Sequence, residues 1–109
     1  MLLIGFYKKE VDKMIVYLAG PITGNAGAAD QFAAAEEKLK KNGCIVLNPK
    51  LLPDGLGDCD DYMKLCLPMI DMADAVIMLD GWKDSCGACR EWGYAFAKDK
   101  VILGTDVFK

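Results

Sequence analysis

The chain has 109 residues, which is room for one domain, because a second core of this size would bury too little apolar surface. It carries 13 basic and 16 acidic residues, and the net charge of −3 disfavours nucleic-acid binding, since phosphate neutralisation requires a basic surface. The sequence contains no histidine, which excludes Ser-His and Cys-His catalytic pairs, imidazole metal ligands and histidine proton shuttles. Any proton chemistry must come from other side chains or from water.

The start of the chain bears on its location. Residues 1–7 are apolar but too few for a signal peptide, and no run approaches the roughly 20 residues that span a bilayer. We therefore expect a cytoplasmic protein without a membrane partner. Five cysteines, an odd number in a reducing compartment, argue against a disulfide framework. Residues 1–13 are interpreted as an extension (an extra strand, a partner contact or an upstream start-codon extension) and residues 14–109 as the domain.

Short continuous apolar runs predict buried strands, and the amphipathic stretches between them predict helices. The predicted strands cover residues 15–19, 44–47, 75–79 and 101–103, and the predicted helices cover residues 31–41, 61–72 and 87–98. Asp30 is predicted to cap the first helix, and Pro68 to kink the second or delay its start. Strands that alternate with helices predict an α/β fold with a parallel sheet covered on both faces.

Two loops, residues 20–27 and 80–86, follow the first and third predicted strands and are the candidate site. Ligands of such sheets bind beyond the carboxyl ends of the strands. The first loop is rich in glycine, which lets the backbone approach a ligand closely. Its candidate binding residues are Gly20, Pro21, Thr23 and Gly24. Its spacing is neither a Walker A loop nor GxGxxG, and an ordinary strand-to-helix turn explains it equally well.

Cys86-Gly-Ala-Cys89 stands at the predicted start of the third helix, a layout that thioredoxin-like redox sites use. That fold needs a further hairpin opened by a cis-proline, and no proline follows Cys89. A zinc site commonly requires two such cysteine pairs, and this sequence has one, so no metal is predicted. Small residues packing a helix start are the structural alternative for both thiols.

Glu91 lies near the first turn of the same helix, where partial positive charge stabilises a carboxylate. A carboxylate held ionised beside a ligand cleft can act as a nucleophile toward an electrophilic carbon. Ser85 and Gly87 open the helix, and a serine hydroxyl with free backbone N–H groups suits a phosphate or a sugar hydroxyl. A solvated acid that completes the helix start is the alternative for Glu91.

Three segments together resemble a known family. They are Tyr17-Leu-Ala-Gly-Pro-Ile-Thr-Gly24, Asp74-Ala-Val-Ile-Met-Leu79 and Ser85-Cys-Gly-Ala-Cys-Arg-Glu91-Trp-Gly-Tyr-Ala95. Over about residues 14–104 the chain resembles the nucleoside 2-deoxyribosyltransferases, and in particular the short bacterial and phage proteins grouped with them. The resemblance implies a flavodoxin-like three-layer sandwich with a small parallel sheet of four to five strands.

The same resemblance implies cleavage of an N-glycosidic bond without a cofactor. The glutamate that matches Glu91 attacks the anomeric carbon and forms a glycosyl-enzyme ester, which a second base or water then releases. The residue that matches Tyr17 positions this glutamate. Such chemistry follows the two-step logic of retaining glycoside hydrolysis.

The chain departs from the family pattern at two positions. The transferases carry an aspartate that assists the leaving base eight residues before the position of Asp74, and here Cys66 stands there. Asp71, one helical turn further on, is a possible substitute, with a solvated helix residue as the alternative. Ser85 replaces an aspartate that meets the sugar 5′-hydroxyl in the transferases. The related nucleoside 5′-monophosphate glycosidases have a serine there that meets a phosphate, so Ser85 points toward a nucleotide. Asp84 beside it weakens this inference, because it adds negative charge.

The remaining expectations concern the base and the assembly. Trp82 is the candidate flat wall for the base, with a loop anchor as its alternative, and Asp80 is a candidate contact for polar groups of base or sugar. Trp92, Tyr94 and Phe96 alternate along one helix, so one side of that helix is predicted to contact another subunit. Family members assemble as dimers or larger rings, which implies a homo-oligomer.

The leading hypothesis is therefore an enzyme that cleaves or transfers the N-glycosidic bond of a nucleoside or nucleotide, with Glu91 as nucleophile. The alternative is a non-catalytic nucleotide-binding module of the same fold, because Cys66 is a poor proton donor. A remote alternative is a thiol redox protein that uses Cys86 and Cys89.

Overall fold

The computed structural model describes residues 13–108, so the predicted N-terminal extension lies almost wholly outside the described residues. Within that range the strands are β1 (Ile15–Ala19), β2 (Ile45–Leu47), β3 (Ala75–Met78) and β4 (Val101–Gly104). The helices are α1 (Ala28–Lys41), α2 (Cys59–Met72) and α3 (Cys86–Ala97). Short 3-10 turns lie at Pro49–Leu51, Trp82–Asp84 and Thr105–Phe108.

The four described strands form one parallel sheet in the order β2-β1-β3-β4. Tyr17 in the middle of β1 is in register with Leu47 on one side and Val76 on the other. The strand order reverses between β1 and β3, as it does in flavodoxin-like folds. The predicted α/β class and the small parallel sheet are confirmed.

Alternation along the strands divides the core between the two faces of the sheet. Val16 and Leu18 of β1 pack against α1, together with Phe32 and Leu39 of that helix. Tyr17 and Ala19 point to the opposite face, where α2 and α3 pack. The result is the predicted three-layer sandwich, with one helix on one face and two on the other.

All three described helices begin earlier than predicted. Helix α1 begins at Ala28, so Asp30 lies in its first turn and the prediction that it caps the helix is wrong. A carboxylate in the first turn still interacts favourably with the positive end of the helix. Asp58 caps α2 by accepting a hydrogen bond from the Asp61 backbone N–H at 3.2 Å, so the helix begins before the predicted residue 61. Pro68 lies inside α2 and does not delay its start.

Candidate functional site

Helix α3 carries Glu91 toward the sheet. Ser85 caps the helix, because its Oγ accepts a hydrogen bond from the backbone N–H of Ala88 at 3.2 Å. Ala88, Glu91 and Ala95 recur at helical spacing and are the buried residues of α3. The two alanines let the helix lie close to the sheet, and Glu91 therefore enters the protein interior on the face that packs.

The carboxylate of Glu91 meets the hydroxyl of Tyr17 below the surface. Tyr17 is fully buried and Glu91 is 4% exposed. The Tyr17 O–H donates a hydrogen bond to Glu91 Oε2, which satisfies both polar groups. Burial raises the pKa of Glu91 to about 7, and the hydrogen bonds from Tyr17 and Cys66 act in the opposite direction. Burial, followed by the negative charge of Glu91, holds the pKa of Tyr17 well above its usual range, so this hydroxyl keeps its proton.

The thiol of Cys66, on α2, completes a buried group of three with Tyr17 and Glu91. Cys66 is buried and interacts with both side chains. Its burial raises the pKa of the thiol to about 11, so it is a neutral S–H at physiological pH. A neutral S–H donates to a carboxylate, which agrees with the lowering effect of Cys66 on the pKa of Glu91. Cys66, which stands where the transferases carry an aspartate, therefore contacts the candidate nucleophile Glu91.

A cavity of about 910 Å³ opens beside Glu91 at the carboxyl edge of the sheet. Its lining comes from the loops after β1, β2 and β3, from the starts of α1 and α3 and from α2 as far as Cys66. The lining residues are Gly20, Ile22, Thr23, Asn25, Ala26, Ala29, Pro49, Lys50, Leu52, Asp54, Gly57, Asp58, Cys59, Tyr62, Met63, Cys66, Asp84, Ser85, Cys86, Gly87, Ala88 and Glu91. This is the edge at which ligands of open α/β sheets bind, at the reversal of strand order between β1 and β3. Its volume is within the range of small-molecule sites.

Half of the predicted site residues line this cavity. They are Gly20, Thr23, Ser85, Gly87 and Glu91. Gly20 is required by space, because a Cβ there would lie 2.9 Å from the Cβ of Leu79. Tyr17 is not among the lining residues, and it acts on the cavity through its hydrogen bond to Glu91. Tyr17 therefore meets the cavity only through Glu91.

The structure places Trp82, the candidate wall for the base, beside α3. Trp82 does not line the cavity, and its ring stacks on Trp92 with centroids 6.2 Å apart and planes 9° apart. Trp92 in turn stacks on Phe96 at 5.2 Å. Trp82 thus packs against α3, and its contact with a base stays a prediction.

Asp80, the candidate contact for base or sugar, does not line the cavity either. Its carboxylate accepts a hydrogen bond from Thr105 Oγ1 at 2.8 Å, and its backbone carbonyl accepts one from Gln31 Nε2 at 3.0 Å. Gln31 also accepts a hydrogen bond from Asn25 Nδ2 at 3.0 Å. Through Gln31, the loops after β1 and β3 are both fastened to α1.

Pro21 and Gly24 belong to the first loop but do not line the cavity. The carbonyl of Pro21 accepts a hydrogen bond from Asn25 Nδ2 at 2.8 Å, so Pro21 is held within the loop. Gly24 has a φ of +75° and open space around its Cα, which makes it a turn residue. Both shape the loop from which Thr23 reaches the cavity.

One wall of the cavity was not predicted from the sequence, and it comes from the loop after β2 and the start of α2. Asp54, Asp58, Tyr62 and Met63 belong to it. The signal was present, since that loop also leaves the carboxyl end of a parallel strand and is rich in glycine and aspartate. Its residues were passed over because no motif marks them.

The cavity lining carries more negative than positive charge. Asp54, Asp58 and Asp84 line it in addition to Glu91, and Lys50 is the one basic residue of the lining. Acidic side chains around a ligand suit hydroxyl donors and disfavour a phosphate. Ser85 uses its oxygen as an acceptor for the helix cap, although its hydroxyl proton stays free to donate.

The structure does not pair Cys86 with Cys89. The thiol of Cys89 lies 3.4 Å from the carbonyl of Lys83 and 3.6 Å from that of Trp82, to which it donates. Cys86 instead faces Cys59, with 3.9 Å between the two sulfur atoms. Residues 13–108 contain no group of three or more Cys, Asp or Glu arranged to hold a metal ion.

The structure places Asp71, the candidate substitute for the missing acid, at the contact between α2 and α3. It is absent from the cavity lining, and its carboxylate accepts hydrogen bonds from the Tyr94 hydroxyl at 2.8 and 2.9 Å. Lys98 Nζ lies 3.7 Å from the same carboxylate. Asp71 therefore ties the end of α2 to α3.

Comparisons with known proteins identify the family of this chain. A family model described as a domain of unknown function, DUF4406, matches residues 14–103. The chain belongs to the DUF4406 family. Its fold is also similar to that of a solved structure described as 2-desoxiribosyltransferase from Leishmania mexicana, with 24% identity and a TM-score of 0.65. The similarity covers 84% of this chain and 63% of that one.

The structural similarity confirms the flavodoxin-like, deoxyribosyltransferase-like fold that the sequence motifs implied. The DUF4406 chain spans 63% of the length of that structure, so more than a third of the larger protein has no counterpart here. The comparison with curated proteins found no match. Among residues 13–108, every helix is too short or too polar to cross a bilayer.

Proposed function

We propose that this DUF4406 domain, residues 14–109, cleaves or transfers the N-glycosidic bond of a nucleoside, with Glu91 as the nucleophile. The observation that carries the proposal is the buried Glu91 carboxylate, held by the Tyr17 hydroxyl at one side of a cavity of about 910 Å³. Only an oriented carboxylate is needed to attack a sugar carbon, and no cofactor or metal takes part. We also propose that the protein is cytoplasmic.

The reaction proceeds in two displacements. The Glu91 carboxylate attacks the anomeric carbon, the N-glycosidic bond breaks, and its electron pair leaves with the base nitrogen, which takes up a proton from water. The hydroxide that remains accepts the proton that the attacking water or second base gives up in the next step. Water or a second base then attacks the same carbon and breaks the glycosyl ester, which returns the carboxylate. Attack requires the ionised form, and with a pKa of about 7 the carboxyl is half ionised at neutral pH.

The charge of the lining favours a nucleoside over a nucleoside 5′-monophosphate as substrate. Three aspartates and one lysine line the cavity besides Glu91, and a phosphate dianion would meet net negative charge there. A sugar hydroxyl would instead find acceptors. A thermal-shift comparison of nucleosides with their monophosphates tests this preference, and larger shifts with the monophosphates would reverse it.

Covalent trapping tests the nucleophile. Incubation with a 2-fluoro-2-deoxy nucleoside is expected to add one sugar mass, and peptide mapping should place it on Glu91, because the fluorine slows release of the ester. Glu91→Gln should remain unlabelled, and Glu37→Gln, which removes an exposed acid of α1, should label as the wild type does. Labelling should accelerate as the pH rises through about 7. A sugar found on any other residue would refute the role of Glu91.

One observation favours a second candidate, a nucleoside-binding module without catalysis. Cys66 stands where the transferases carry the acid for the leaving base, and a thiol with a pKa of about 11 is a weak proton donor. In that case ligands would stabilise the protein against heat while the fluorinated nucleoside leaves it unmodified. The two candidates therefore give opposite results in the trapping experiment.

The outer side of α3 is the proposed contact between copies of the chain. Trp82, Trp92 and Phe96 form a continuous stacked row there, and Phe96 is 65% exposed. Exposed aromatic rows of this kind are enriched at interfaces. Sedimentation analysis should find a dimer or larger assembly that Phe96→Glu weakens, whereas Leu51→Glu, at another exposed apolar position, leaves it intact. A wild type that stays monomeric at high concentration would remove this part of the proposal.

A further inference from the structure

Two cysteines that the proposed glycosyl chemistry does not use face each other on the rim of the cavity. Cys59 is the first residue of α2 and Cys86 is the first residue of α3. Their sulfur atoms lie 3.9 Å apart, and both residues line the cavity. Cys86 is exposed to solvent and Cys59 is half-buried.

The surroundings favour a reaction between these two thiols. Gly87 follows Cys86 and has no side chain. A Cβ at this position would lie 3.6 Å from the sulfur of Cys59, so that sulfur lies close to the start of α3 without steric conflict. Arg90 Nη1 lies 3.5 Å from the same sulfur. Burial and the neighbouring Cys86 raise the pKa of the Cys59 thiol, and the Arg90 guanidinium acts in the opposite direction by favouring the thiolate, the form that attacks disulfides.

We propose that Cys59 and Cys86 form a reversible disulfide by exchange with a low-molecular-weight disulfide, which makes the cavity rim a redox modification site. A disulfide bond is about 2 Å long, so the two sulfurs must approach by about 2 Å for the bond to form. Both residues stand at helix starts, and the bridge would join the α2 wall of the cavity to the α3 wall.

The exchange runs in two balanced steps. The exposed Cys86 thiolate attacks one sulfur of the small disulfide, forms a mixed disulfide and releases one small thiolate. The Cys59 thiolate then attacks the sulfur of Cys86 and releases the second small thiolate, and the two protons lost by the cysteines are taken up by the two small thiols. The protein is oxidised by two electrons and the small disulfide is reduced by two.

Oxidation with glutathione disulfide, followed by intact-mass measurement and peptide mapping without reduction, tests the proposal. We expect the wild type to lose about 2 Da, to yield a cross-linked pair of peptides containing residues 59 and 86, and to regain its mass with dithiothreitol. The matched control Cys89→Ser should form the same bridge, because the sulfur of Cys89 faces the carbonyls of Trp82 and Lys83.

Cys59→Ser distinguishes the order of the steps, since it should stop at a stable glutathione adduct on Cys86. The proposal is overturned if the wild type accumulates glutathione adducts without an internal bridge, or if the bridge joins Cys86 to Cys89. The mapping on the wild type decides the matter even where a variant folds poorly. The result is independent of the trapping experiment on Glu91.

Discussion

The two faces of the sheet bury different kinds of side chain, although the same strands contribute to both. On the α1 face, β1 contributes Val16 and Leu18 to a buried cluster that is apolar throughout. On the other face, the intervening Tyr17 carries its hydroxyl to Glu91 and Cys66. Because side chains alternate along a strand, one five-residue strand serves both purposes.

The difference shows where stability and chemistry are separated. The α1 face gains free energy from burial alone. The opposite face buries a carboxyl group whose pKa is raised to about 7, which costs folding free energy whenever that group is ionised. We therefore expect removal of the Glu91 charge to have the opposite sign to the loss of an apolar side chain on the α1 face, and substitutions on the two faces to differ in their pH dependence.

The largest effect is expected from Phe32→Ala on the α1 face. Phe32 is fully buried, and its loss should lower the free energy of unfolding by about 3–5 kcal/mol at any pH. Urea unfolding at pH 5 and pH 8 measures this. Phe32→Leu should lose less. A strongly pH-dependent loss would contradict the separation of the two faces.

Glu91→Gln on the opposite face should have the reverse sign. In the folded protein the carboxyl has a pKa of about 7, against 4.5 for the free group, so between these values the folded state binds more protons than the unfolded state. The free energy of unfolding therefore falls as the pH rises through this window, by roughly 3 kcal/mol in total.

The glutamine side chain in the Glu91→Gln variant cannot ionise, so the variant should gain that amount relative to the wild type by pH 8 and little at pH 4. Urea unfolding of both proteins across this range measures the difference, with Glu37→Gln as the control. A stability difference that does not change with pH would show that Glu91 is not the buried titrating group.

Tyr17→Phe sharpens the comparison further, because it removes a hydrogen bond and leaves the apolar ring in place. Without the donated O–H, the ionised Glu91 loses a partner, and its pKa should rise above about 7. We expect a loss of about 1.5–3 kcal/mol above the pKa of Glu91 and much less below pH 5. The midpoint of the pH-dependent stability measures the shift, and an unchanged midpoint would contradict the positioning role of Tyr17.

The smallest effect is expected from Ser85→Ala, which removes the cap of α3. The loss should be about 1 kcal/mol, because the backbone N–H of Ala88 loses its acceptor. Ser85→Asn, which can cap a helix, should recover most of it. Thermal unfolding of the two variants at one pH decides between a capping role and a role confined to ligand binding, in which both variants would melt as the wild type does.

The fold was predictable because its signals are local. Continuous apolar runs such as Ile15–Ala19 marked buried strands, and the polar stretches between them marked helices. Cys59 and the first turn of α2 were missed, since the Asp58 cap is one of several aspartates in a loop that offers many equivalent caps. Which of these aspartates caps α2 is decided by how the helix packs, and the sequence alone does not show this packing.

The site was predictable in part for the same reason. Glu91 and Tyr17 stand in recognisable motifs, and the sheet brings them together. The role of Trp82 depends on Trp92 and Phe96, which lie on the outer side of a helix whose orientation the sequence leaves open. The contact of Cys66 with Glu91 likewise depends on how α2 and α3 pack against each other.

The fastening of two loops by Gln31 has a consequence for how the cavity can change. Gln31 holds the loop after β1 through Asn25 and the loop after β3 through the Asp80 carbonyl, so these two walls are built as one piece with α1. The loop after β2 is tied to α1 only where it begins, because Asn48 Nδ2 donates a hydrogen bond to Glu36 Oε1 at 2.9 Å, and Gln31 does not contact its residues 50–58. New ligand preferences can therefore arise by altering residues 50–58 while the loops that flank Glu91 keep their shape.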